Sequence, residues 1–122
     1  MLFRSEAAFN DFEKIYPGTG TLAANIGRAR IAAERGSFGQ ARDVAAPLVK
    51  DALSKKVVSR AENQLYGQAY YILGRVAESE NKLPEAMENY CRTVAIFYQE
   101  RAVVTEAEKR IDALRKKGIT TP

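Results

Sequence analysis

Apolar residues recur along this chain at spacings of three and four, and nowhere in sustained alternation, so the pattern predicts helices and no strands. Breakers divide the pattern into six segments. The first helix is predicted from about Ser5 to Tyr16, with Ala8, Phe9, Phe12, Ile15 and Tyr16 as its apolar stripe, and Pro17-Gly18-Thr19-Gly20 ends it. The second runs from about Thr21 to Arg35, with Leu22, Ile26, Ala29, Ala32 and Ala33 inward, and Gly36-Ser37 closes it. The third runs from about Phe38 to Leu53 and contains Pro47, where the missing N–H predicts a kink. Ser54-Lys55-Lys56 is the predicted exposed turn. A fourth helix spans about Ser59 to Ser79 and carries Leu65, Ala69, Tyr70, Leu73, Val76 and Ala77 inward. The fifth opens at Pro84, a favoured first-turn position, and reaches about Tyr98 with Ala86, Met87, Tyr90, Val94 and Phe97 inward. The sixth spans about Arg101 to Lys117 and stops at Gly118.

Short helices joined by short turns make either a bundle or a solenoid, and an internal repeat separates the two. One is present at an offset of 45 residues, between Leu22–Val49 and Gly67–Val94. Ala24 aligns with Ala69, Arg30 with Arg75, Ala32 with Ala77, Phe38 with Leu83, Ala41 with Ala86, and Val49 with Val94. Small residues recur where two helices must approach closely, and bulky ones where the gap must be filled.

The second segment carries Tyr70, Leu73-Gly74, Ala77, a turn, Leu83, Ala86 and Tyr90. This resembles the spacing of tetratricopeptide repeats. The first segment keeps Ala32, Gly36, Phe38 and Ala41 but has Arg28-Ala29 where Leu-Gly is usual, and Asn81 stands where Gly36 meets the family's turn glycine. Ala8, Phe12, Tyr16 and Pro17 resemble the end of a second helix, and Thr105 to Gly118 resemble a first helix. The resemblance implies an all-α, right-handed α-solenoid of antiparallel helix pairs. Its organisation would be a half repeat at 5–17, repeats at 21–53 and 59–98, and a half repeat at 101–118, as a piece of a longer solenoid. The period of 45 departs from the family's usual 34 by about three helical turns, and the extra length lies around Asp51 to Asn63. The run from Ala8 to Ala24 is similar to the subgroup found in bacterial envelope proteins. That implies a place in an envelope complex, periplasmic or associated with the outer membrane, with a cytoplasmic place as the alternative.

Composition narrows the chemistry. The 122 residues fit one domain, and 46% hydrophobic with 28% charged residues is ordinary for a folded chain. No apolar run approaches the roughly 20 residues of a membrane span. There is no histidine and one cysteine, Cys91, which removes zinc sites of the His/Cys kind, internal disulfides and the commonest general base. No cofactor or metal is expected. Gly18-Thr19-Gly20 lacks the Gly-Lys-Ser/Thr of a phosphate loop. Glu34, Glu78 and Glu80 lie near helix ends with nothing around them that predicts a shifted pKa, so catalysis is not expected. Cys91 reads as a small, partly buried core thiol.

Net charge is +4, with its densest stretch at Lys109 to Lys117. That stretch reads as a solvated helix end whose cations suit the negative pole of the helix dipole, and nucleic-acid binding through it is the weaker alternative. The more informative set is Arg30, Tyr71 and Arg75. The resemblance places Arg30 and Arg75 one position after the Leu-Gly register of two successive repeats, on the helices that line the concave groove, with Tyr71 one turn before Arg75. Two guanidinium groups at one register can fork onto carboxylates of an acidic peptide. The expectation is therefore a non-catalytic scaffold that binds a protein or peptide, with a purely structural spacer as the alternative. A further expectation concerns the sixth helix. Val103, Val104, Ala107, Ile111 and Leu114 have no following helix to cover them, so an exposed apolar stripe there would favour self-association.

Overall fold

The computed structural model describes residues 8, 10, 11, 14, 19–54, 60–96 and 101–120. From residue 19 onward five helices follow in chain order: α1 (Thr19–Glu34), α2 (Phe38–Ser54), α3 (Arg60–Ser79), α4 (Leu83–Ile96) and α5 (Arg101–Lys116). The described residues contain no strand, so the all-α expectation holds for them. The predicted helix at Ser5–Tyr16 falls largely outside the described residues, as do Lys55, Lys56, Ser59, Phe97 and Tyr98. Ala8, Asn10, Asp11 and Lys14 are helical, and the Asn10 Oδ1 accepts a 2.9 Å hydrogen bond from Arg28 Nη2 of α1.

Three helices end in the same way. At the end of α1, Ser37 N–H donates to Ala32 O and Gly36 N–H to Ala33 O, with Gly36 at φ +81°. At the end of α3, Lys82 N–H donates to Ala77 O and Asn81 N–H to Glu78 O, with Asn81 at φ +59°. At the end of α5, Ile119 N–H donates to Leu114 O and Gly118 N–H to Arg115 O, with Gly118 at φ +90°. Each pair of bonds satisfies carbonyls that the helix end would leave without partners, through one left-handed residue. Glycine adopts that conformation freely and asparagine tolerates it, which is why Asn81 can stand where the preceding unit has Gly36. After the first two ends the chain starts its next helix at once: Ala41 N–H reaches Ser37 O and Ala86 N–H reaches Lys82 O.

Each helix packs against the next, and α3 also packs against α1 and α5. The odd-numbered helices therefore form one layer. The helices α2 and α4 lie over them and do not approach each other at the backbone. The aligned small residues are all buried: Ala24 with Ala69, Ala32 with Ala77, and Ala41 with Ala86. One hydrophobic cluster joins α1, α2 and the near side of α3 through Ile26, Ala29, Ala45, Val49, Ile72 and Val76. A second joins the far end of α3 to α4 and α5 through Ala77, Met87, Tyr90, Ala107, Ile111 and Leu114. Thr93, fully buried, ties α4 to α3: its hydroxyl lies 3.1 Å from both Gly67 O and Asn89 O.

The predicted exposed stripe on the last helix is not exposed. Val103, Val104, Ala107, Ile111 and Leu114 are all buried within the chain. The apolar stripe of α5 is turned onto the preceding helices. Ile119, just beyond the end of α5, folds back onto the same cluster. That stripe is therefore not available for self-association.

Candidate binding face

The stripe Gln68, Tyr71, Ile72 and Arg75 runs along one side of α3 at helical spacing. It meets Arg30 and Glu34 from α1 and Glu106 from α5 around a single cavity of about 290 Å³. Ala33, Ile72 and Val103 add apolar wall. The structure thus brings together all three residues singled out in the sequence: Arg30, Tyr71 and Arg75 line the same recess. Arg30 is exposed and Arg75 half-buried. Neither guanidinium has an ion-pair partner among the described residues.

Tyr71 also has an inward role that its spacing did not reveal. Its ring lies 5.7 Å from that of Tyr90, tilted by 45°. Behind that pair sits a polar network. Tyr90 Oη donates a 2.8 Å hydrogen bond to Glu78 Oε1, and Arg110 Nη1 lies 3.3 Å from Glu78 Oε2. One carboxylate of α3 therefore joins α4 and α5. Burial and the bond to Glu78 push the Tyr90 phenol well above its usual range. Burial opposes the charge on Arg110, but Glu78, Tyr90 and Tyr71 together raise its pKa. In the sequence Glu78 reads only as a carboxylate near a helix end. Its partners lie 12 and 32 residues away in the chain, so no local spacing announces the network.

Other candidates read from the sequence take structural places. Cys91 is half-buried against the second cluster, and burial pushes its thiol up, with Arg115 pulling the other way. In the basic C-terminal stretch, Lys109 pairs with Glu106 at 3.5 Å and Arg115 with Asp112 at 3.8 Å, and Arg110 is committed to Glu78. Three of the five cations in that run are therefore answered within the chain. Among the described residues no group of three or more His, Cys, Asp or Glu is placed to hold a metal ion, and no helix is long and apolar enough to cross a membrane.

No family model, curated protein or solved structure shows significant similarity to this chain.

Proposed function

We propose that the chain is a non-catalytic helical-repeat scaffold of tetratricopeptide type, and that the face of α1, α3 and α5 binds an extended peptide. The observation that carries this reading is the convergence of Arg30, Tyr71 and Arg75 on one recess, the two guanidinium groups without ion-pair partners among the described residues. The repeated left-handed ends after α1, α3 and α5 support the repeat assignment. Contact within the odd-numbered layer, with α2 and α4 held apart, supports curvature toward that layer, and hence a concave binding side.

The electrostatics refine the ligand. Glu34 and Glu106 line the same recess as the two arginines. A uniformly acidic strand would meet repulsion from both carboxylates, whereas spaced acidic residues would reach the guanidinium groups and leave neutral or basic residues beside Glu34 and Glu106. Arginine suits this role because its fork binds a carboxylate through two parallel bonds.

A random peptide display screen tests the proposal, run with the parent chain and with Arg30→Ala and Arg75→Ala. Enriched peptides should carry spaced Asp or Glu. Each substitution should weaken them by about 3- to 10-fold, the lower end applying to the exposed Arg30. Lysine at either place should restore part of the loss, because the charge returns without the fork. Peptides that lack acidic residues, or that bind the variants as well as the parent, would leave the spacer alternative.

A further inference from the structure

The other side of the stack carries a second recess. It has a volume of about 470 Å³ and runs where α2 and α4 stand apart. Its floor is a different stripe of α3, formed by Tyr70, Leu73, Val76 and Ala77. Asn89 of α4 lines it and is only 8% exposed. Its carboxamide has no hydrogen-bond partner among the described residues. Thr93, one turn further along α4, shows the ordinary outcome, its buried hydroxyl reaching two carbonyls. Buried polar side chains are nearly always partnered, and one that is not, at the wall of an open groove, is poised for an incoming group.

The charges around it are uneven. Arg42, Lys50, Lys82 and Arg92 line the recess against Glu80 and Glu85. Arg42 is paired with Glu80, and Arg92 is paired with Glu88 and lies over the Tyr70 ring at 5.6 Å from its centroid. Lys50 on one wall and Lys82 on the other have no ion-pair partner among the described residues. The surplus is positive and comes from ammonium groups at the rim.

We propose that this recess is a second, independent binding groove for an extended peptide segment bearing a carboxylate. A carboxamide presents a donor and an acceptor side by side, and a main-chain peptide group presents their complement. Asn89 pairs with the ligand's backbone, and Lys50 and Lys82 attract its acidic side chain. A nucleic-acid strand fits less well. Tyr70 is buried and capped by Arg92, so it offers no free face on which a base could stack.

The test uses the chain carrying both Arg30→Ala and Arg75→Ala, which silences the first face, so success or failure here is separate from success or failure there. This chain is screened with displayed random peptides, and a synthetic copy of an enriched peptide is titrated by fluorescence anisotropy. The peptide should contain Asp or Glu. Asn89→Leu should weaken it by about tenfold or more, as expected when a ligand loses a buried hydrogen-bonding partner. Lys82→Glu, an exposed change that spares the packing, should weaken it several-fold. Without ligand, Asn89→Leu should also raise the thermal midpoint by a few degrees, since an amide without a partner is replaced by an apolar group of similar size. The proposal is overturned if no peptide is enriched, or if the enriched peptide binds the Asn89→Leu and Lys82→Glu chains unchanged. It is equally overturned if a single-stranded oligothymidine displaces the peptide. A lowered midpoint in Asn89→Leu would show that a trapped water or other structural partner holds the amide, which also defeats it.

Discussion

Gly74 of α3 lies so close to the Tyr90 ring of α4 that a Cβ added at Gly74 would stand 2.5 Å from Tyr90 Cε1. The ring has nowhere to retreat. Tyr90 is fully buried, and its hydroxyl is held by Glu78. Alanine at position 74 would favour the helix by about 1 kcal/mol. The overlap should outweigh that gain and leave Gly74→Ala less stable by about 1–3 kcal/mol. Urea unfolding midpoints decide the matter, and a midpoint at or above the parent's would mean the ring can move aside.

Ala86 is fully exposed to its neighbours and not at all to solvent, in the first turns of α4 against the second cluster. Ala86→Leu should overpack that contact and cost about 1–3 kcal/mol. Coincident denaturation curves for variant and parent would contradict the packing register described above.

Ile111→Glu should act on stability rather than on association. The side chain is buried on the inner face of α5 within the second cluster, so a carboxylate there would be desolvated among apolar groups. The expected result is a loss of about 3 kcal/mol or more, read as a lowered unfolding midpoint. A variant that keeps its midpoint while dispersing an oligomer in sedimentation would restore the exposed stripe that the sequence alone suggested.

Alkaline pH should weaken the fold partly through Tyr90. Burial and Glu78 raise its folded pKa, so below the ordinary tyrosine value of about 10 both states hold the proton and its contribution is intact. As pH climbs past that value the unfolded chain ionises first and stability falls, by about 1.4 kcal/mol per pH unit from this group. Tyr90→Phe should lose about 1.5–3 kcal/mol at neutral pH with the hydrogen bond to Glu78, and should show a shallower decline above pH 10. Equal slopes in the two chains would remove Tyr90 from the account.

Cys91 should react slowly with disulfide reagents at neutral pH, because its half-buried thiol is held above its usual range. The rate should rise with pH and jump on unfolding. A rate at pH 7 equal to that of the denatured chain would show an open thiol.

The repeat was legible because it is written in small residues. Ala32 with Ala77, and Ala41 with Ala86, are buried in both units, as helix crossings demand. The left-handed ends at Gly36 and Gly118 were legible from glycine, and the one at Asn81 only by alignment with Gly36. That position 29 holds alanine where the second unit has Gly74 also has a physical reason. In the second unit Gly74 makes room for Tyr90, whereas the aligned positions of the first unit hold Ala29 and Ala45, both fully buried. A small partner at position 45 removes the need for glycine at 29. The resemblance implied that Arg30, Tyr71 and Arg75 share one face, and all three line one recess. What register cannot supply is a partner far along the chain. The bonds from Tyr90 and Arg110 to Glu78, and the absence of one at Asn89 among the described residues, depend on how the helices come together. The cover over Ile111 and Leu114 was missed for a related reason: counting helices does not say which way the last one faces.

Helix α3 contributes to both hydrophobic clusters, Ile72 and Val76 to one and Ala77 to the other, and its Glu78 receives the Tyr90 and Arg110 bonds. Neighbouring repeats in an array can in principle fray one at a time, each with its own melting free energy. Here neither flank can peel away without stripping a face of the same central helix. The described helices should therefore open as one cooperative unit. In hydrogen exchange the best-protected amides of α1, α3 and α5 would share one global opening free energy rather than show thresholds of their own.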